Sequence, residues 1–254
     1  MEKSTKVGRK ALISRVVEKA PGAPCPKIGT WDTRGSRLVE RTFLEAPPEQ
    51  VAPRLLGKIL AHRIRDENGT KYLAGRIVEV EAYLGPHNET PDPAAHAHRG
   101  PTPRNQVLFG PAGHAYVYAI YGKYFCMNVS CETQGKAGSV LIRALEPLAG
   151  LEQMALSRGL KPAAKVVKPG QLTSGPSRLC QALGITRAGQ NGLDLLDSAS
   201  PLQLLDDGFA VSEVHVTARI GISHAVDLPL RFSLRDHDCV SGPKRIKGKL
   251  IFLR

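Results

Sequence analysis

Two carboxylates stand two positions apart in an otherwise apolar run, Glu79 and Glu81 in "GRIVEVEAYLG" (75–85). Strand alternation puts both on one face, with Val78 and Val80 on the other. Neighbouring carboxylates in apolar surroundings raise the pKa of at least one of them, which suits acid–base work. A solvated strand face with two ordinary glutamates fits the same pattern. Tyr83 continues the face, and the chain then enters "PAAHAHRGPTPRN" (93–105). His96 and His98 alternate there as a zinc pair would, but no third ligand follows at a metal-site spacing, so no metal is expected.

The tyrosines carry a second signal. Four of the six, Tyr116, Tyr118, Tyr121 and Tyr124, fall between residues 116 and 124. Tyr116 and Tyr118 share a strand face, whereas Tyr121 falls at a turn beside Gly122 and Lys123. An aromatic at a hairpin tip has no core of its own to enter. It is either an edge residue with high strand propensity or a wedge of the kind that proteins insert between base steps. Asn128, on the return strand, offers an amide to a base edge. Lys123 is either a phosphate contact or a solvated lysine.

These residues need a scaffold. "RLLGKIL" lies in a helical run over Gln50–Leu60 that turns strand-like. Asn68-Gly69 predicts a hairpin between strands at Ile59–Ile64 and Tyr72–Tyr83. Residues Gly85–Pro103 read as a long loop. A second hairpin spans 115–128 and turns at Tyr121-Gly122. Further strands are expected at Ser139–Ala144, Val211–Ile222 and Leu230–Leu234, with a helix over Leu148–Ser157. Residues 158–172 read as a surface insertion. "TSGPSRLCQALGI" predicts a helix with Ser174 as cap, Pro176 in the first turn and Gly184 after the last. No βαβ rhythm or repeat appears. The expected fold class is α+β: a single mixed domain with a curved, mostly antiparallel sheet, surrounding helices and a protruding hairpin.

The 254 residues suffice for a sizeable core, and 42% hydrophobic content excludes disorder as the main state. No apolar run is long enough to cross a bilayer, and the basic start lacks the apolar stretch of a secretory signal. The formal net charge of +12 is unevenly spread: residues 1–37 carry +6, residues 241–254 carry +5, and residues 38–240 only +1. The expectation is a basic, mobile arm over 1–37, with one helical turn near Ala11–Lys19, a folded domain over 38–240 and a basic tail over 241–254. Such ends attract a polyanion, although basic tails also serve solubility alone. Five cysteines, an odd number without short paired spacing, suggest buried thiols in a reducing, intracellular compartment.

The chain resembles the alkyladenine (3-methyladenine) DNA glycosylases of the mammalian alkylpurine type. The resemblance rests on "RLLGKIL", "RIVEVEAYLG", "TPRN", "YVYAIYGKYFCMN", "LIRALEPLAGLE" (141–152), "TSGPSRLCQALGI", "ARIGISHA" (218–225) and "LPLRF" (228–232). They fall in the family's order and cover nearly all of 38–234.

The resemblance implies a monofunctional enzyme that excises 3-methyladenine, 7-methylguanine, hypoxanthine and ethenoadenine from double-stranded DNA with water as nucleophile. It makes Glu81, rather than Glu79, the group that activates water, and Arg143 the residue that holds that water and a neighbouring phosphate. Tyr83 lies on one face of the flipped base, and His96 with Tyr118 on the other. Tyr121 fills the gap left in the duplex, and Asn128 crowds the 2-amino group of normal guanine. It implies no cofactor, no membrane and a monomer working where DNA is, in nucleoid or nucleus. The loop between Tyr83 and His96 is longer than usual at Asn88–Pro93, which keeps His98 as the alternative to His96. Other chemistries fit parts of the pattern: a non-catalytic reader of bent DNA, a glycosidase on free nucleosides or carbohydrates, or a bifunctional enzyme with Lys123 as Schiff-base nucleophile.

Overall fold

A computed structural model describes residue 31 and residues 33–67, 69–160, 168–243 and 248–253. The helical turn expected at Ala11–Lys19, the arm up to residue 30 and Asn68 of the first hairpin lie outside these residues. In chain order the strands are β1 (Arg37–Leu38), β2 (Ile59–Asp66), β3 (Gly69–Tyr83), β4 (Ala115–Ile120), β5 (Tyr124–Cys131), β6 (Gly138–Ala149), β7 (Leu202–Asp206), β8 (Glu213–Thr217), β9 (Arg231–Leu234) and β10 (Lys249–Phe252). The helices are α1 (Arg41–Leu44), α2 (Pro48–Leu55), α3 (Leu151–Ser157), α4 (Pro169–Thr173), α5 (Pro176–Leu183) and α6 (Arg187–Gln190).

The strands form one open, antiparallel sheet in the order β1-β7-β2-β3-β6-β5-β4, from which β9, β8 and β10 branch at β3. The fold is thus α+β. The branch arises from the length of β3. Its first half, Gly69–Arg76, pairs with β2, while Glu79–Glu81 pairs with β9, and β6 lies along the other edge. The register between β3 and β6 slips on both sides of Glu79. A bulge of this kind bends the strand and re-aims its side chains.

Helices α2 and α5 seal the main core. Pro48 and Pro176 occupy first-turn positions, where the missing N–H costs nothing. In α5, Leu179, Cys180, Ala182 and Leu183 are buried, the spacing of one helical stripe. Burying a leucine side chain is worth about 1.5–3 kcal/mol. Gly184, with φ of +66°, ends the helix. Ser174 is not its cap: Gly175 takes that position without a side-chain bond, because Ser174 is drawn into a bridge with Ala144 while Gly175 N–H donates to Arg143 O at 3.0 Å.

Other boundaries move for local reasons. Strand β6 continues through Leu148 and Ala149 until Gly150, with φ of +76°, turns the chain, so α3 starts only at Leu151. The strand expected over Val211–Ile222 is limited to Glu213–Thr217, and Ala218–Ile222 leaves the sheet for side-chain partners described below. Strand pairing crosses the domain boundaries drawn from charge: Arg37–Leu38 pairs with β7, and Lys249–Phe252 with β8. Cys126, Cys131, Cys180 and Cys239 are buried free thiols. No helix among the described residues is long and apolar enough to cross a membrane.

Candidate active site

The bulge in β3 and the facing strand β6 bring three charged side chains together. Glu79, Glu81 and Arg143 are all buried, the two carboxylates completely. Arg143 Nε donates to Glu79 Oε1 at 2.9 Å, and its Nη1 lies 3.1 Å from Glu81 Oε1. Glu81 Oε1 also accepts from Ile220 N at 2.7 Å, and Oε2 accepts from the Tyr83 hydroxyl at 2.9 Å. The solvated strand face is excluded by this burial. The sequence placed both glutamates on one face, and one guanidinium touches both.

Burial would lower the pKa of Arg143, but the charges of Glu81 and then Glu79 outweigh it and raise the pKa, so the guanidinium stays cationic. Burial, followed by the charge and hydrogen bond of Glu81, pushes the Tyr83 phenol well up. Burial does the same for Tyr118. Both phenols are therefore neutral donors at any working pH.

Next to this cluster opens a cavity of about 560 Å³, lined by Tyr83, His96, Tyr118, Tyr121, Asn128 and Arg143 among others. Pro176 and Ser177, at the start of α5, close one side. Glu81 exposes no surface of its own. Its carboxylate sits behind three of the lining residues, Tyr83, Arg143 and Ile220.

The aromatic wall follows from alternation along β4. The Tyr116 and Tyr118 rings stack at 5.2 Å, and His96 meets Tyr118 edge-on at 4.5 Å. His96 Nδ1 is 3.0 Å from the Tyr116 hydroxyl. Desolvation, then the charge of Arg104, lowers the His96 pKa from its ordinary value. His98 lines a neighbouring cleft with Arg99 and Arg104, so His96 is the histidine in the aromatic wall. Asn128 is buried and donates from Nδ2 to Ser139 Oγ at 3.0 Å. Tyr121 is 89% exposed at the hairpin tip and still borders the cavity. Lys123 is exposed on the same turn, outside the cavity lining, with Nζ 5.3 Å from the Tyr124 ring.

Several residues that fix this geometry were given no role by the sequence. Asp92 and Arg219 form a fully buried bidentate pair, and Asp92 also accepts from Leu84 N and Ala94 N. The Arg219 guanidinium lies 4.6 Å from the Tyr83 ring centroid, so it braces that ring. Asn105 donates to His96 O at 2.8 Å and Gly100 O at 3.1 Å, and it accepts from Thr102 N. The loop carrying His96 is therefore pinned at both ends. Gly85 is required where that loop leaves β3, because a Cβ there would come within 2.0 Å of Lys136 O. "TPRN" and "ARIGISHA" contain Asn105 and Arg219, but their partners are not visible from spacing. Arg231 and Ser241 complete the surroundings of Glu79.

Residues 42–238 match the family model of methylpurine-DNA glycosylase. The chain is 49% identical over 204 residues to a protein of Koribacter versatilis, covering 80% of this chain and 93% of that one. A protein of Burkholderia lata is 44% identical over 223 residues, 87% and 97% of the two chains. One of Methanoculleus marisnigri is 48% identical over 203 residues, 78% and 96%. Each bears the name "Putative 3-methyladenine DNA glycosylase".

Proposed function

The chain belongs to the methylpurine-DNA glycosylase family, and from that premise we propose that it removes 3-methyladenine, 7-methylguanine, hypoxanthine and ethenoadenine from duplex DNA by hydrolysis directed by Glu81. The observation that carries this reading is the buried Glu81–Arg143 pair set against an aromatic cavity, with an exposed tyrosine at its mouth.

A base inside a duplex is out of reach, so it must be rotated out at a cost of a few kcal/mol, least for a damaged or weakly paired one. Tyr121 fills the vacated space, and the base enters between Tyr83 on one side and His96 with Tyr118 on the other. Asn128 at the cavity wall crowds the 2-amino group of an undamaged guanine. Alkylation at N3 or N7 makes the purine cationic, and electron-rich rings attract a cation by about 0.5–2 kcal/mol. Such a base departs neutral. Water attacks C1′, its oxygen forming the new bond as the C1′–N bond breaks. The bond's electron pair leaves with the base, and the proton of the water passes to Glu81. The Tyr83 hydroxyl occupies Glu81 Oε2 in the free protein, and its release admits water to the carboxylate. Arg143, with Nη1 3.1 Å from Glu81 Oε1, presents positive charge to water and phosphate.

Lys123 lies outside the cavity lining, which favours water over an amine as nucleophile. The test is release of free base from methylated and hypoxanthine-containing duplexes. Glu81→Gln is expected to slow release by about 10²–10⁴-fold, the usual worth of a general base, while lesion-duplex binding persists. A protein that binds these duplexes and releases no base, or a variant as fast as the parent, would overturn the reading.

A further inference from the structure

Glu79 does not line the cavity, and its four bonds are all spent on fixing other groups. Oε1 accepts from Arg143 Nε at 2.9 Å, Arg231 Nε at 2.7 Å and Ser241 Oγ at 3.0 Å, and Oε2 accepts from Ser241 N at 2.6 Å. Arg231 is in turn held by Thr217 Oγ1 at 3.0 Å and Ser241 O at 2.9 Å. Arg143 Nη2 donates to Ser241 Oγ at 3.3 Å. Glu79, Glu81, Arg143 and Arg231 thus form a buried, charge-balanced quartet joined by one serine.

An arginine side chain has several freely rotating bonds, and a guanidinium aimed at one carboxylate must be anchored elsewhere. Here Nε and Nη2 are tied behind the cavity, and that leaves Nη1 directed at Glu81. The Ser241 hydroxyl makes this anchor in both directions, accepting from Arg143 and donating to Glu79. Ser241 also lies beyond the 42–238 segment that matches the family model. Resting on the function proposed above, we infer that Ser241 and Glu79 are positioning residues for the hydrolytic step, acting through Arg143 on Glu81, and that the working unit extends past residue 240 into the C-terminal segment.

Ser241→Ala removes the hydroxyl and keeps the backbone donor to Glu79. Single-turnover base release from a 7-methylguanine duplex, and Kd for the same duplex, are measured in full-length protein for Ser241→Ala, Arg143→Gln and the double variant. Losing the hydroxyl's two bonds, to Arg143 and to Glu79, should slow release about threefold to tenfold with Kd unchanged. In the Arg143→Gln background Ser241→Ala should cost nothing more, since residues acting through one another are not additive. A parental rate in Ser241→Ala, an equal loss in both backgrounds, or a loss of binding that matches the loss of rate overturns the inference. If Glu81→Gln retains full activity, the reading of the site falls with it. If Ser241→Ala gives one of these overturning results while Glu81→Gln is inactive, only the role of Ser241 and Glu79 is refuted.

Discussion

His96 shows how one side chain can couple the pocket to pH. Its ring stands against Tyr118, its Nδ1 faces the Tyr116 hydroxyl, and partial desolvation with the nearby Arg104 charge lowers its pKa below the ordinary 6.5. At neutral pH the ring is uncharged and adds no repulsion to a cationic base. Because the folded value lies below the unfolded one, the associated stability is fully present above pH 6.5 and declines as pH falls below it. The same sign applies to the substrate: a protonated His96 repels a cationic purine more than a neutral one. The ratio of 7-methylguanine to hypoxanthine release should therefore drop as pH is lowered below 6.5. In His96→Asn the part of that drop due to the imidazole should vanish. Identical pH profiles of the ratio in the two proteins would remove His96 from charge discrimination.

The hairpin β4–β5 is the element on which the proposed wedge can be tested most directly. Ile120 pairs with Tyr124, leaving Tyr121, Gly122 and Lys123 as the connection. Tyr121 adopts φ of +49°, a conformation that costs a non-glycine residue about 1–2 kcal/mol. A strained and 89% exposed tyrosine gains nothing for folding. Tyr121→Ala should leave thermal stability within about 0.5 kcal/mol of the parent, yet weaken binding to lesion duplexes and slow release. Unchanged release would refute the wedge. Local pattern made this element readable in advance, since Tyr116 and Tyr118 alternate and Gly122 marks the turn. It also placed Glu79 and Glu81 on one face of β3. The quartet behind them was not readable: Glu79 lies 152 residues from Arg231 and 162 from Ser241, and Arg219 lies 127 from Asp92. Buried ion pairs carry no periodicity, so only the folded sheet reveals them. The helix boundary at Leu148 failed for a related reason. A strand buried on both faces reads as a continuous apolar run, and Gly150, not hydrophobic pattern, decides where it stops.

For the molecule as a whole, positive charge is divided unevenly between the body and its ends. Residues 38–240 carry a net charge of only +1, so the long-range attraction for a polyanion comes mainly from the termini. Residues 1–30 hold seven Lys or Arg and two acids. Trp31, packed edge-on against Tyr72 at 6.2 Å, marks a point where the described chain is already joined to the body. Removing residues 1–30 takes away a net charge of +5 and leaves every residue named in the cavity and the quartet in the chain. For every phosphate that the shortened chain no longer neutralises, the slope of log affinity against log salt should flatten by about 0.9. Binding to damaged and undamaged duplexes should weaken by the same factor at low salt and converge with the parent as salt rises. The relative rates on 7-methylguanine and hypoxanthine should stay as they are, because the proposed reading assigns base choice to the aromatic cavity. Titrations of both duplexes at several salt concentrations decide the matter. A shortened chain that keeps the parental salt slope but loses its preference among lesions would assign the N-terminal segment to base selection and leave the general attraction to the body.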